Sequence, residues 1–291
     1  MEKIKYIIDF GLKLKKRFIG HDIASRSAQI TYYWILAFFP FLVMVISILT
    51  FTNIAQSEFM VYLAEVVPSS IMPFIEQTVN QLIEYRSATL LSFSAIVSIW
   101  SASAGVNAMI KGIHKAYSAV DERAFWLRKI IAMIYTLILA VLIAALIILL
   151  VFGNRIGEYI IVTFGIEWQK YRVLWDLIRF TLPVGGLLIG LYIIYKYIPR
   201  KHLRDGNVWI GTFFASVGWY AFSYIFSLYV DKFNKYNQMY GSIGSVFLLL
   251  IWLYTSSILV LLGAEMNALC QDMKHIRPAK RRREVRGERD Y

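Results

Sequence analysis

The chain has 291 residues, 58% of them hydrophobic and 17% charged, where a soluble domain carries about 45–50% apolar and about 25% charged residues. The apolar excess lies in long uncharged blocks, which excludes an ordinary soluble globule and points to membrane-spanning helices. The formal net charge of +12 could mark a nucleic-acid binder, so the positions of the cations decide its meaning.

Residues 1–28 precede the first block. On a helical wheel Ile4, Ile7, Ile8, Phe10, Gly11, Leu12, Leu14, Phe18 and Ile19 share one arc, and Lys5, Asp9, Lys13, Lys16 and Arg17 the other. The pattern predicts a helix lying in the headgroup region with its lysines toward anionic lipid, or packed on the protein's own inner face. Residues 29–269 form a six-span domain, with spans at about 29–52, 90–110, 130–152, 177–198, 208–230 and 243–269. Crossing a hydrocarbon core takes about 20 helical residues. Lipid offers the backbone no hydrogen-bond partner, so each span must satisfy its own, and the blocks are too long and too evenly apolar for barrel strands. Pro40 in the first span and Pro183, Gly185 and Gly186 in the fourth are candidate hinges, because proline removes a donor and clashes one turn back. Gly186 and Gly190 also make a G-x-x-x-G contact face.

Residues 53–89 read as short outer amphipathic helices broken at Pro68, with Glu58, Glu65, Glu76 and Glu84 against Arg86. The tail, residues 270–291, is basic and expected to be disordered. The predicted fold is therefore an all-α integral membrane protein of about six transmembrane helices, with an N-terminal interfacial helix and short outer helices between spans 1 and 2.

Sorting the connections by charge explains the net charge. Residues 1–28, 111–129, 196–207 and 270–291 hold seven, five, four and eight Lys or Arg, and residues 53–89, 153–179 and 231–242 hold one, four and two. The positive-inside bias then puts both termini in the cytoplasm, which requires an even number of spans. The run Lys280-Arg281-Arg282-Arg283 follows a span, where such runs anchor orientation and touch anionic headgroups. The expected partners are membrane lipids, with no nucleic acid and a homo-oligomer as one possible assembly.

Catalytic and metal constellations are not found in the sequence. His21, His114, His202 and His275 are scattered singly and read as solvated or interfacial. No G-x-S-x-G elbow, P-loop or dinucleotide fingerprint occurs, so no cofactor is expected. Cys270 is the one cysteine, so no intramolecular disulfide can form.

What remains is polar material in apolar spans, which usually faces a bundle interior or a cavity. Ser94, Ser98 and Ser101 share one side of span 2 with Gly105, as close packing or as a substrate path. Asn107 and Lys111 near the end of span 2 match the depth of Glu265 and Asn267 in span 6. An ion pair between Lys111 and Glu265 is an expectation, as a tie, a gate or a headgroup site. Arg179 lies one turn inside span 4, snorkelling to headgroups or binding an anion. Tyr236 and Asn237, in the short outer turn between spans 5 and 6, are outer ligand candidates.

Several stretches resemble the YihY/BrkB virulence-factor family of bacterial inner-membrane proteins. These are Ala28-Gln29-Ile30-Thr31-Tyr32-Tyr33 with Phe38-Phe39-Pro40, and Trp100-Ser101-Ala102-Ser103-Ala104-Gly105 with Ala116-Tyr117. Pro199 with Trp209-Ile210-Gly211 is similar too. The most specific are Tyr236-Asn237-Gln238-Met239-Tyr240-Gly241-Ser242 and Leu262-Gly263-Ala264-Glu265-Met266-Asn267. The resemblance implies an inner-membrane protein linked to the envelope, and its older ribonuclease BN label is regarded as a misassignment. The resulting expectation is a multi-pass protein that transports or flips a lipid or other amphiphile. A membrane scaffold for envelope machinery and an enzyme on lipid-linked substrates are the alternatives.

Overall fold

The structure is a computed structural model that describes residues 2–51, 72, 77, 88–119, 123–163, 168–199, 207–233 and 237–285. Among these, seven long helices run in order: α1 (Glu2–Gly20), α2 (Ile23–Phe51), α3 (Ala88–Ala116), α4 (Phe125–Thr163), α5 (Trp168–Tyr197), α6 (Trp209–Phe233) and α7 (Asn237–Val285). Five segments are long and apolar enough to cross a membrane: Leu91–Ala116, Phe125–Leu142, Val173–Tyr197, Trp209–Val230 and Val246–Met273. The protein is an all-α integral membrane protein. The expected first span falls in α2, whose 29 residues reach about 43 Å at about 1.5 Å each.

Two helices overrun their predicted spans. α4 runs for 39 residues to Thr163, through a stretch read as connection. Hydropathy marks where apolar character ends, and the helix simply continues past Arg155 and Glu158. Its extension packs on α5: a side chain added at Gly157 would strike the Trp175 indole. α7 runs for 49 residues, so the tail expected to be disordered is helical as far as Val285. The outer segment around Pro68 lies outside the described residues.

Neighbouring helices pack in sequence, α2 along α3, then α3 on α4, α4 on α5, α5 on α6 and α6 along α7. α7 returns against α2 and closes the ring, and it also touches α3. The described core gathers Ile30, Val106, Met109, Ile110, Ile113, Leu261, Ala264 and Ala268. Lipid supplies no hydrophobic drive between spans, so small residues and close backbones do that work. A side chain on Gly105 would collide with Trp34, and one on Gly211 with the Gly263 carbonyl and the Asn267 amide.

Several hydroxyls inside the bundle turn back on their own helices, while Ser256 and Ser223 accept the indole N–H of Trp219 and Trp252 across the α6–α7 contact. Ser94 donates to the Leu91 carbonyl (3.0 Å), Ser103 to Trp100 (2.7 Å), Thr31 to Ser27 (2.8 Å) and Thr136 to Ala132 (2.7 Å). Of the G-x-x-x-G pair expected in α5, Gly190 faces open space: a side chain added there would meet nothing within 4 Å, and the same holds for the candidate hinge Gly185. α5 runs continuously through Pro183, and α2 through Pro40. Near Pro183 the Thr181 hydroxyl donates to the Leu177 carbonyl.

α1 lies against α7 and α2. Phe18 packs on the core, while Ile8, Leu12 and Ile19 stay exposed. The apolar arc is thus divided, one edge docked on the protein and the other free to meet lipid. Of the two alternatives for this helix, packing on the protein's own face is the one seen here.

Candidate polar cluster where the helix ends meet

The ends of α1, α3 and α5 and the starts of α2 and α6 converge on the stretch of α7 around Glu265 and Asn267. Two left-handed residues shape the chain there. Asp22, at φ 52°, turns it from α1 into α2. Ser118, at φ 50°, ends α3. Ala119 N–H bonds the His114 carbonyl at 2.8 Å and Ser118 N–H that of Lys115 at 3.0 Å, the double bond pattern of a left-handed helix stop.

Glu265 on α7 is the centre of the site and is 1% exposed. Its two oxygens take different cations. Arg17 Nη1 donates to Oε2 at 3.3 Å, and His21 Nδ1 lies 2.5 Å from Oε1. Arg17 comes from the last turn of α1 and His21 from the turn after it. Arg17 reaches further, donating to the Ala116 carbonyl at the end of α3 (3.3 Å) and to Asp272. Glu265 and Asp272 are seven residues apart, two helical turns on one face. Arg26 Nε donates to the His21 carbonyl at 2.9 Å, which fixes the turn from the α2 side.

Asn267, fully buried, faces α6. Its Oδ1 accepts the Gly211 N–H at 2.7 Å. Gly211 sits in the first turn of α6, where N–H groups lack helical partners. Asn207 Oδ1 accepts the Trp209 N–H there at 2.9 Å, an N-cap in the ordinary sense. Tyr195 donates to the Val260 carbonyl at 2.7 Å, and His114 Nε2 lies 2.9 Å from the Ile198 carbonyl. Side chains thus satisfy backbone groups at the start of α6 and just past the end of α5, and tie α5 to the middle of α7.

Tyr117 also lies in this region, next to Asn267 and Glu265. Burial pushes its phenol well above the usual range, the Asn267 contact works against that, and the Glu265 charge adds to it. Tyr117 therefore stays a neutral phenol. Its hydroxyl and the Asn267 amide nitrogen are both buried without a well-formed hydrogen bond.

Of the sequence candidates, the cluster contains Glu265 and Asn267. Lys111 is exposed, and the expected pairing with Glu265 is replaced by Arg17 and His21. Glu265 is turned toward α1 and lies level with Ala116, whose carbonyl shares the Arg17 guanidinium with it. Asn107 is half-buried on α3 and is not in the cluster's bonds. Arg179 lies in α5 and Asn237 begins α7; their side chains, and all of Tyr236, are outside the described residues. Arg17, His21, Asp272 and Tyr117 were not singled out from the sequence. Two histidines read as solvated are engaged: His114 is buried, and His21 holds Glu265. Among the described residues no three His, Cys, Asp or Glu side chains come together to hold a metal ion.

Known proteins resemble this chain, one of them along most of its length. It is 32% identical to the ribonuclease-like protein YfkH of Bacillus subtilis (strain 168) over 269 residues, 92% of this chain and 98% of that one. A UPF0761 membrane protein of Tolumonas auensis is 32% identical over 93 residues, 32% of this chain and 30% of that one. One from Vibrio vulnificus (strain CMCP6) is 28% identical over 96 residues, 33% and 30% of the two chains. No solved structure matches. The sequence profile described as Virulence factor BrkB matches residues 14–288, essentially the whole bundle with its docked helix, and the chain belongs to that family.

Proposed function

We propose that this protein moves a lipid or other amphiphile of the bacterial envelope between leaflets of the inner membrane, both its tails lying in the cytoplasm. The observation that carries this reading is Glu265, a carboxylate 1% exposed in a family of membrane proteins. An ionisable group inside a membrane protein is costly and usually marks a path for substrate or ions. Here its partners come from a separate element, α1, so the cluster can open without dismantling the bundle. In this reading Arg17, His21 and Glu265 form a gate at the inner end, and exposed Ile8, Leu12 and Ile19 hold α1 at the lipid surface.

The test is transbilayer movement of fluorescent phospholipids in proteoliposomes. Movement above protein-free vesicles is expected, with Glu265→Gln changing the rate about tenfold, the scale of about 1.4 kcal/mol in a barrier. Folded protein that moves no native lipid class overturns the reading.

A second reading, a scaffold that transports nothing, is favoured by the bundle's hydroxyls. Ser94 and Ser103 spend their hydroxyls on their own helix, as packing residues do. This reading expects a stable protein partner on pull-down and no lipid movement. YfkH carries a ribonuclease-like name; assay of this chain on RNA under the same conditions tests that activity directly.

A further inference from the structure

The cluster at Glu265 contains a site for a proton. His21 Nδ1 and Glu265 Oε1 lie 2.5 Å apart, with side-chain exposures of 20% and 1%. A contact this short needs a hydrogen between the two atoms. A carboxylate accepts, so an imidazole paired with it donates from Nδ1 and has Nε2 left as its second nitrogen.

The charged and titratable groups around this bond come from four directions. α1 supplies Arg17, bound to Glu265 and to Asp272. α7 supplies both carboxylates. α2 supplies Arg26, whose Nε is engaged by the His21 carbonyl. Tyr117, after α3, is a neutral phenol beside Glu265. Asp22 and Lys115, the nearest charged neighbours in the chain, are exposed. The ion-paired set is therefore two carboxylates, one guanidinium and one imidazole. With His21 protonated its formal charge is zero, and with His21 neutral it is −1. A buried carboxylate is tolerated when its charge is balanced and its oxygens are bonded. Histidine is the side chain whose ordinary charge change falls between about pH 5 and 8.

We propose that the His21–Glu265 pair binds one proton and that this proton fastens α1 and its turn to α7. A proton from water forms the Nε2–H bond, no other covalent bond changes, and the imidazolium makes a charge-assisted bond to Glu265 Oε1. Such bonds are about twice as strong as neutral ones. Loss of the proton as pH rises leaves Arg17 alone against two carboxylates, and the docked helix loosens. The inference stands apart from transport, because it concerns the docking of α1 and holds for a carrier or a scaffold.

The experiment is amide hydrogen exchange on the full chain in nanodiscs at pH 5.5 and pH 8.5, corrected for the chemical exchange rate. Opening of the segment Arg17–Asp22 is expected to be about threefold or more faster at the higher pH, a local event well below global unfolding. His21→Gln should exchange fast at both values, and His21→Arg, permanently charged, slowly at both. Equal rates for the native chain overturn the proposal. So does a His21→Gln chain that keeps the native pH step, since His114, His202 or His275 would then be its source. If His21→Gln does not fold, the native chain and His21→Arg still decide the matter.

Discussion

Glu265 illustrates how a buried charge is held at the residue scale. Arg17 and His21 hold its carboxylate, so removing the guanidinium leaves a buried charge without its fixed counter-ion. Arg17→Ala should therefore destabilise the protein by about 3 kcal/mol, the range for breaking a buried pair from one side. The double variant Arg17→Ala with Glu265→Gln should recover part of that loss, because the two residues act as one unit. Thermal unfolding in detergent, read as a cycle of the four proteins, measures both. Tyr117 predicts the opposite behaviour. Its buried hydroxyl lacks a well-formed bond, and an unsatisfied polar group contributes little or costs stability. Tyr117→Phe should leave the midpoint unchanged or raise it, and a drop of several degrees would assign the hydroxyl a bond it is not seen to make.

Among the elements, α6 and α7 meet most closely. The Gly211 and Gly263 backbones leave no space for a side chain on either, and Asn267 ties the same contact through the Gly211 N–H. Gly211→Ala forces the helices apart, at a cost of about 1–3 kcal/mol typical of overpacking. Purified yield and unfolding midpoint should both fall. Gly190→Ala, in the open face of α5, is the control that should change neither. The end of α3 offers a gain instead. Ser118 holds a left-handed conformation that glycine adopts without steric penalty. Ser118→Gly should stabilise the protein by up to about 1 kcal/mol, seen as a higher unfolding midpoint.

For the whole molecule, contacts place Arg17, Ala116, Ile198, Gly211 and Glu265 at one end of the ring. A chain that leaves from that end and returns to it must pass an even number of times, as the charge distribution independently predicts. Single cysteines at exposed Lys13 and Lys111, in a chain with Cys270 replaced, should label from the same side of sealed, oriented vesicles. Labelling from opposite sides would contradict the ring. The docked α1 belongs to this scale too, since it joins the membrane surface, through Ile8, Leu12 and Ile19, to the polar cluster through Arg17.

How much of this was legible in the residues differs between the bundle and its site. Long apolar blocks can only be helices in lipid, so composition determined the class, and the order of the cations gave an expectation for sidedness. Glu265 and Asn267 stood out because polar groups in apolar spans are expensive. Their partners did not. Arg17 and His21 lie 248 and 244 residues from Glu265 along the chain, and no helical period reports on such a separation. Within their own segment they look like the solvated side of an amphipathic helix. Lys111 was expected to face Glu265 and is exposed instead, and the direction of a side chain is set by how helices rotate against each other when small residues such as Gly211 and Gly263 pack. Only the tertiary structure could decide that rotation, because it depends on shape across the bundle and not on the order of residues in any one helix.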